Sequence, residues 1–205
     1  MRVVVPFAAE NPKTRLAGVL DADERAAFAR SMLADVLDAV RGAGGTPTVL
    51  ATAPVDLDAG VRVDDRSLTT AVNAVLEETD ETVAIVMADL PLATPAVLER
   101  LFDADGGVVI APGRGAGTNA LVVRHDGFRT DFHGASYLDH REAASAAGVE
   151  TTVVDSHRLA TDVDERADLV EVLVHGDGRA ATWLANHGVR IERGNGRVNA
   201  ARVDD

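Results

Sequence analysis

The chain contains no cysteine among its 205 residues. That removes disulfides, thiolate metal sites and a cysteine nucleophile together. Lysine is nearly missing too: Lys13 is the only one, and every other basic side chain is an arginine. No apolar run reaches the roughly 18 residues that a membrane-spanning helix needs, so no membrane partner is expected. The apolar start of MRVVVPFAAEN is too short for a secretory h-region and reads as a first strand, which leads us to expect a cytoplasmic protein. His125, His133, His140 and His157 show no H-x-x-x-H spacing, and no G-x-S-x-G elbow occurs. Zinc-enzyme and serine-hydrolase readings fall away on those absences.

What the chain has in excess is acid. Asp and Glu number 33 against 20 basic residues, for a formal net charge of −13. Such a surface repels nucleic-acid backbones, so no nucleic-acid partner is expected. Abundant Asp, Ala, Val and Gly beside scarce Lys suggest a halophile's cytoplasm. At molar salt the Debye length is about 3 Å, and the self-repulsion of an acidic coat is screened. Codon usage rich in G and C is the competing source of the same bias.

Strand and helix patterns alternate. RVVVPF (2–7), TPTVLAT (46–52), VRVD (61–64), TVAIVMA (82–88), GGVVIAP (106–112), ALVVRH (120–125) and ETTVVD (150–155) read as strands. Helical stripes begin at Asp21 or Asp23 and end at Gly42–Gly45. Others follow Ser67 as a cap, open at Thr94-Pro95, span Ser136–Ala147, and run from about Asp164 to Val174. A short helix over Ala180–Asn186 and a strand-like VRIERGNGRV complete the pattern, with the last ten or so residues loosely held. No linker or repeat divides the chain. This predicts one α/β domain over residues 1–205, with a mostly parallel, Rossmann-like sheet covered by helices on both faces. Ligands in such sheets bind beyond the carboxyl ends of the strands. The loops to inspect are therefore AAENPKTR, ADLP and GRGAGTN.

Each loop has a chemical reading and an ordinary one. Lys13 and Arg15 follow the first strand beside the turn former Asn11-Pro12, and a compact ammonium suits a phosphate as a point charge. The segment is no P-loop, because G-x-x-x-x-G-K is absent; the ordinary alternative is an exposed turn. Asp89 ends the most apolar strand, where a carboxylate can hold a hard cation such as Mg²⁺, or merely terminate the strand. Asp162 and Asp164 form a D-x-D pair, but Asp21/Asp23, Asp56/Asp58 and Asp103/Asp105 share that spacing. By spacing alone, a capped acidic helix is the better reading of Asp162, Asp164 and Asp168. In GRGAGTN the glycines allow close backbone approach, and Thr118 and Asn119 can donate to an anion; a tight β-connection is the alternative.

Taken in order, PFAAENPKTRL, MADLPLATPAVL, APGRGAGTNAL, FHGASYLDHREAASAAG and TDVDERADLVEVL resemble the 2-phospho-L-lactate guanylyltransferases of coenzyme F420 biosynthesis, as found in halophilic archaea. These belong to the MobA-like and sugar-nucleotide transferase superfamily, and the resemblance covers roughly residues 2 to 174. It implies that a phosphate oxygen of 2-phospho-L-lactate attacks the α-phosphorus of GTP and displaces pyrophosphate. It further implies that Lys13 and Arg15 hold the triphosphate, that Asn73 lies near the nucleotide, and that Asp89 with Asp162 and Asp164 holds Mg²⁺. Thr118 and Ser136, with Asn119, His133 and Gly134, match the positions that meet the phospho-acid. The chain departs from the pattern at His133, where related bacterial members have glycine, and in the Ser67–Thr70 approach to Asn73. Phosphoenolpyruvate as acceptor, and a non-catalytic nucleotide-binding regulatory domain, are the alternative readings. The relatives suggest a homodimer.

The composition itself makes a prediction. Thermal midpoints should fall as KCl is diluted from molar to ~0.1 M, because the screening length grows and the excess charge repels itself. A midpoint that stays flat or rises on dilution would assign the composition to codon bias.

Overall fold

The apolar strand runs and amphipathic stretches condense into alternating elements in the computed structural model, which describes residues 1–193 and 198–202. In chain order the strands are β1 Arg2–Phe7, β2 Thr46–Ala51, β3 Gly60–Val63, β4 Val83–Val86, β5 Val108–Pro112, β6 Thr118–Val123, β7 Thr151–Val153, β8 Val189–Glu192 and β9 Asn199–Arg202. The helices are α1 Ala22–Gly42, α2 Leu68–Glu77, α3 Pro95–Asp103, α4 Ser136–Ala146, α5 His157–Ala160, α6 Asp168–His175 and α7 Arg179–Asn186.

Seven strands form one sheet in the order β3-β2-β1-β4-β6-β5-β7. Pairings β3–β2, β2–β1, β1–β4 and β5–β7 are parallel. Only β6 runs against its neighbours, pairing Val86 with Ala120 and Pro112 with Thr118. This inverted strand matters for placement. Thr118 and Asn119 begin β6 at the edge where β1 and β4 end, so all three loops expected to matter meet at one edge. Every residue of β4 is buried, as its uninterrupted Val-Ala-Ile-Val run requires of a strand covered on both faces. One core, holding Phe28, Met32, Leu98 and Leu169, lies under α1, α3 and α6. The opposite core, with Val72, Ile85, Ile110 and Phe128, lies under α2 and α4.

Element ends follow local chemistry. Ser67 accepts the Thr70 N–H and starts α2, and Asp21 forms a capping box with Glu24 at the start of α1. The helix expected from about Asp164 begins instead at Asp168. There the Asp168 carboxylate accepts the N–H groups of both Asp164 and Glu165, which holds that stretch as a loop. Helix α5 has four residues, too few for a periodic signal. The loosely held end falls partly on residues 196, 197 and 203–205, outside the described residues; between them Asn199–Arg202 pair with β8.

The C-terminal helix α7 is tied to α1 by one side chain. Asp35 accepts the Arg179 N–H at 2.7 Å and the Ala180 N–H at 2.9 Å, capping α7 from across the fold. Gly178 must stay side-chain-free, because a Cβ there would lie 2.6 Å from the Asp35 carboxylate. Asp35→Ala frees two donors and should cost about 2 kcal/mol in urea unfolding.

Candidate functional site

The turn after β1 puts Lys13 into a left-handed conformation, φ 54° and ψ 43°, just before a 3-10 turn at Thr14–Leu16. Buried Leu16 anchors that turn in the core, and the Lys13 side chain is thereby aimed inward. Its Nζ donates to Asp89 Oδ2 at 2.5 Å and to Asp164 Oδ1 at 2.9 Å. The side chain is 12% exposed, so the alternative of an ordinary exposed turn does not hold for Lys13: it is roofed by its two carboxylates. Arg15, by contrast, is 67% exposed and only grazes Asp164 at 3.5 Å.

These groups line a cavity of about 460 Å³ at the carboxyl edge of the sheet, together with Phe7, Ala8, Pro12, Leu50, Thr52, Leu68 and Met87. Burial opposes the charge on Lys13, yet Asp89 and Asp164 outweigh it and hold the ammonium above its ordinary value. Burial pushes the Asp89 carboxyl upward; Lys13 offsets part of this, and repulsion from Asp162 and Asp164 adds to it. The wall carries three carboxylates, Asp64, Asp89 and Asp164, beside three cations, Lys13, Arg15 and Arg66. Its hard oxygen donors suit Mg²⁺. Among the described residues, however, Asp89, Asp162 and Asp164 do not gather as a group with all ligand oxygens within 4.8 Å of one another. The Lys13 ammonium stands between Asp89 and Asp164 instead.

The acidic loop is fixed from several sides. Buried Val163 donates its N–H to the Asp89 carbonyl at 3.1 Å, which sets Asp162 and Asp164 on either side of an anchored residue. Asp162 accepts from Asn119 Nδ2 at 3.0 Å, and the same amide reaches the Leu159 carbonyl at 2.9 Å. A Cβ at Gly113 would lie 2.7 Å from Asn119 Oδ1, so the glycine in this turn makes room for that amide. Arg114 of the same turn pairs with Asp168 at 2.7 Å.

Thr118, Asn119 and Ser136 are buried at the start of β6 and of α4, and none of them lines the cavity. Thr118 donates its N–H to Ser136 Oγ at 3.0 Å. His133 is exposed and its ring meets Asp131 at 2.5 Å, while Gly134 takes φ +52°. Neither lies on the cavity wall. Asn73 is also away from it: its amide clamps Thr130, accepting from the backbone N–H at 2.8 Å and donating to the carbonyl at 2.9 Å. Its place is to hold the loop that leads to His133. Reading loops after strands had passed over Asp64 and Arg66, which follow β3 and line the cavity as an ion pair at 2.6 Å. The fork of Arg66 holds the Asp64 carboxyl down at about 2. The strand-end rule applied to VRVDDR would have found them.

His140 lies beneath Thr118 and Ser136. Its Nε2 accepts the Asp131 N–H at 2.9 Å, so Nδ1 carries the proton and donates to Thr118 Oγ1 at 2.9 Å. That leaves the Thr118 hydroxyl proton free to point elsewhere. Burial pushes the imidazole down to about 4, against attraction from Asp131 and Asp139. The unfolded chain therefore takes up this proton first. The stability gained from neutral His140 is complete above about pH 6.5 and is lost as pH falls toward 4, a loss of about 3 kcal/mol at most. Urea midpoints measured at both ends of that window should separate in the parent, and should separate less in His140→Gln.

A family model described as guanylyl transferase CofC like matches residues 1–204. A 2-phospho-L-lactate guanylyltransferase of Halomicrobium mukohataei is 62% identical over 98% of this chain and 100% of its own length. The protein of that name from Haloferax volcanii is 63% identical, covering 98% of each chain. Solved structures share the fold at lower identity. A putative nucleotide-diphospho-sugar transferase from Desulfovibrio desulfuricans superposes with a TM-score of 0.73 at 16% identity, over 91% of this chain and 94% of its own. A nucleotidyl transferase from Methanothermobacter gives 0.60 at 17% identity, over 91% and 99%. The inverted β6, the lysine after β1 and the carboxylate after β4 thus sit in a nucleotidyltransferase fold, and the chain belongs to the CofC-like guanylyltransferase family.

Proposed function

We propose that this chain transfers GMP from GTP to 2-phospho-L-lactate, giving lactyl-2-diphospho-5′-guanosine and pyrophosphate. The observation that carries the reading is the Lys13 ammonium held between Asp89 and Asp164 on the cavity wall, in a chain of this family. A cavity of about 460 Å³ falls within the range of small-molecule sites.

In the reaction a phosphate oxygen of the acceptor forms a bond to the α-phosphorus, and the bond from that phosphorus to the bridging oxygen of pyrophosphate breaks. Two anions must meet, so the work is charge neutralisation and in-line positioning. Lys13 supplies a buried ammonium to the triphosphate, and exposed Arg15 can swing to its outer phosphates. The two cavity-facing carboxylates, Asp89 and Asp164, would hold Mg²⁺, with Asp162 fixed behind them by Asn119. When bound, Mg²⁺ supplies positive charge to the phosphate oxygens. The Thr118 and Ser136 hydroxyls, buried at this edge just off the cavity wall, are the groups that the family resemblance assigns to the phospho-acid. Asn73 acts on that region only by holding Thr130.

Incubation with GTP and Mg²⁺, and separately with 2-phospho-L-lactate or phosphoenolpyruvate, tests the reading by product mass. GTP binding without pyrophosphate release in the presence of either acid would favour a regulatory domain. No helix among the described residues is long and apolar enough to cross a membrane. The same reading takes the protein as a cytoplasmic homodimer, which size-exclusion chromatography checks for the subunit count.

Lys13→Ala should lower kcat by ~10²–10³-fold, the loss typical of one preorganised charge-stabilising donor. Lys13→Arg should restore only part, since the planar guanidinium is larger than the ammonium it replaces. Asp89→Asn should abolish Mg²⁺-dependent pyrophosphate release. Asp21→Asn should be silent, because asparagine also caps α1. Normal release by Asp89→Asn at limiting Mg²⁺ would sink the metal assignment.

A further inference from the structure

Away from the cavity, α5 and α6 bring together three ligand-type side chains from separate parts of the chain. His157 opens α5, and Glu171 and His175 lie one turn apart on α6. His157 Nε2 is 3.2 Å and His175 Nε2 is 3.7 Å from the same atom, Glu171 Oε2. The three residues each offer a ligand atom within 4.8 Å of the others, and among the described residues no other group does so. The absence of H-x-x-x-H spacing hid this group, because one histidine comes from a different helix.

The spacing suits coordination. Ligand atoms on a tetrahedral ion with bonds of about 2.0–2.1 Å lie roughly 3.3 Å apart. The two imidazoles meet edge to face, with ring centroids 5.3 Å apart at 81°, rather than stacking flat. A protonated histidine paired with Glu171 would give the same distances. Yet His157 and His175 are about half exposed, at 53% and 47%, and exposed ion pairs contribute little. Salt at molar strength weakens them further, whereas coordination bonds persist. Two cations border the same groove, Arg100 and Arg158. Each is turned to a backbone carbonyl, Arg100 to Asp155 and Arg158 to Leu92.

We propose that His157, Glu171 and His175 form a surface site for a borderline divalent transition ion, with zinc(II) the best match and a fourth position open to water. Two neutral imidazoles and one carboxylate are a common donor set for such an ion. The position in the chain suggests its use. His157 lies five residues before Asp162 and Glu171 seven after Asp164, so the site would staple together the two helices that flank the acidic loop. It lies outside the proposed Mg²⁺ site and shares no residue with it.

The test uses the full chain, stripped with a chelator, with neither GTP nor Mg²⁺ added. Cobalt(II), the spectroscopic stand-in for zinc(II), should titrate to one equivalent with a visible band, and zinc(II) should displace it. His157→Ala and His175→Ala should each weaken binding by more than the ~10–100-fold that loss of a supporting group costs. Both should also lose the rise in thermal midpoint that zinc(II) gives the parent, while their circular dichroism stays unchanged. Glu171→Gln, which keeps side-chain size, should behave likewise. Asp89→Asn should retain the band in full. The proposal is overturned by a parent without the band, by a band that survives the histidine substitutions, or by its loss in Asp89→Asn.

Discussion

One ammonium group connects three segments of this chain. Lys13 follows β1, Asp89 follows β4, and Asp164 lies in the loop before α6, 151 positions away in sequence. Each ion pair closes a long loop, and each partner is costly without the others. Removing the lysine would leave two partly buried carboxylates facing each other, and removing a carboxylate would leave a roofed cation with one partner. The site is therefore built by mutual compensation, and the cavity wall is its exposed face.

The acidic loop depends on that pairing and returns the support. Val163 is sunk into the core and bonded to Asp89 through the backbone, Asn119 takes Asp162, and Arg114 takes Asp168. The loops after β1, β4 and β5 thus all bond to residues 162–168, with Lys13, Arg114 and Asn119 as donors and the Asp89 carbonyl as acceptor. β5 ends at this edge, and because β6 runs back from it, Thr118 and Asn119 lie here too; a parallel strand would have begun at the opposite end. The buried Thr118 hydroxyl comes to the same edge by that inversion, beside Ser136, with neutral His140 beneath donating to Thr118 Oγ1.

The fold was largely legible in the sequence because its central strands are buried on both faces. Val83–Val86 and Val108–Pro112 announce themselves as continuous apolar runs, and Ser67, Asp21 and Pro95 mark helix starts by capping chemistry. What could not be read was whatever depended on a distant partner. The delayed start of α6 is decided by the Asp168 carboxylate taking backbone donors, and spacing alone favoured a capped helix through Asp162 and Asp164. Lys13 was identifiable by position and by its singularity, but its burial follows from Leu16 anchoring a left-handed turn. Asn73, which the resemblance puts near the nucleotide, does not line the cavity and bonds Thr130, a partner 57 residues away that no spacing could announce. Asp64 and Arg66 were missed for want of applying the strand-end rule to an edge strand.

The donor count of an ammonium explains why a lysine stands at this one position of an arginine-rich chain. An ammonium has three equivalent donors on a compact centre. Asp89 and Asp164 take two of them at 2.5 and 2.9 Å, which leaves one donor for a third oxygen. A guanidinium spreads its donors in a planar fork that matches both oxygens of a single carboxylate, as Arg66 does with Asp64. In that geometry the group would favour one aspartate, and its bulk would occupy space on the cavity wall that the ammonium leaves open. A point charge that bridges two carboxylates and can still reach a phosphate is a requirement only lysine meets. Arg100, Arg114 and Arg158 lie where one guanidinium bond to a backbone carbonyl or a carboxylate suffices.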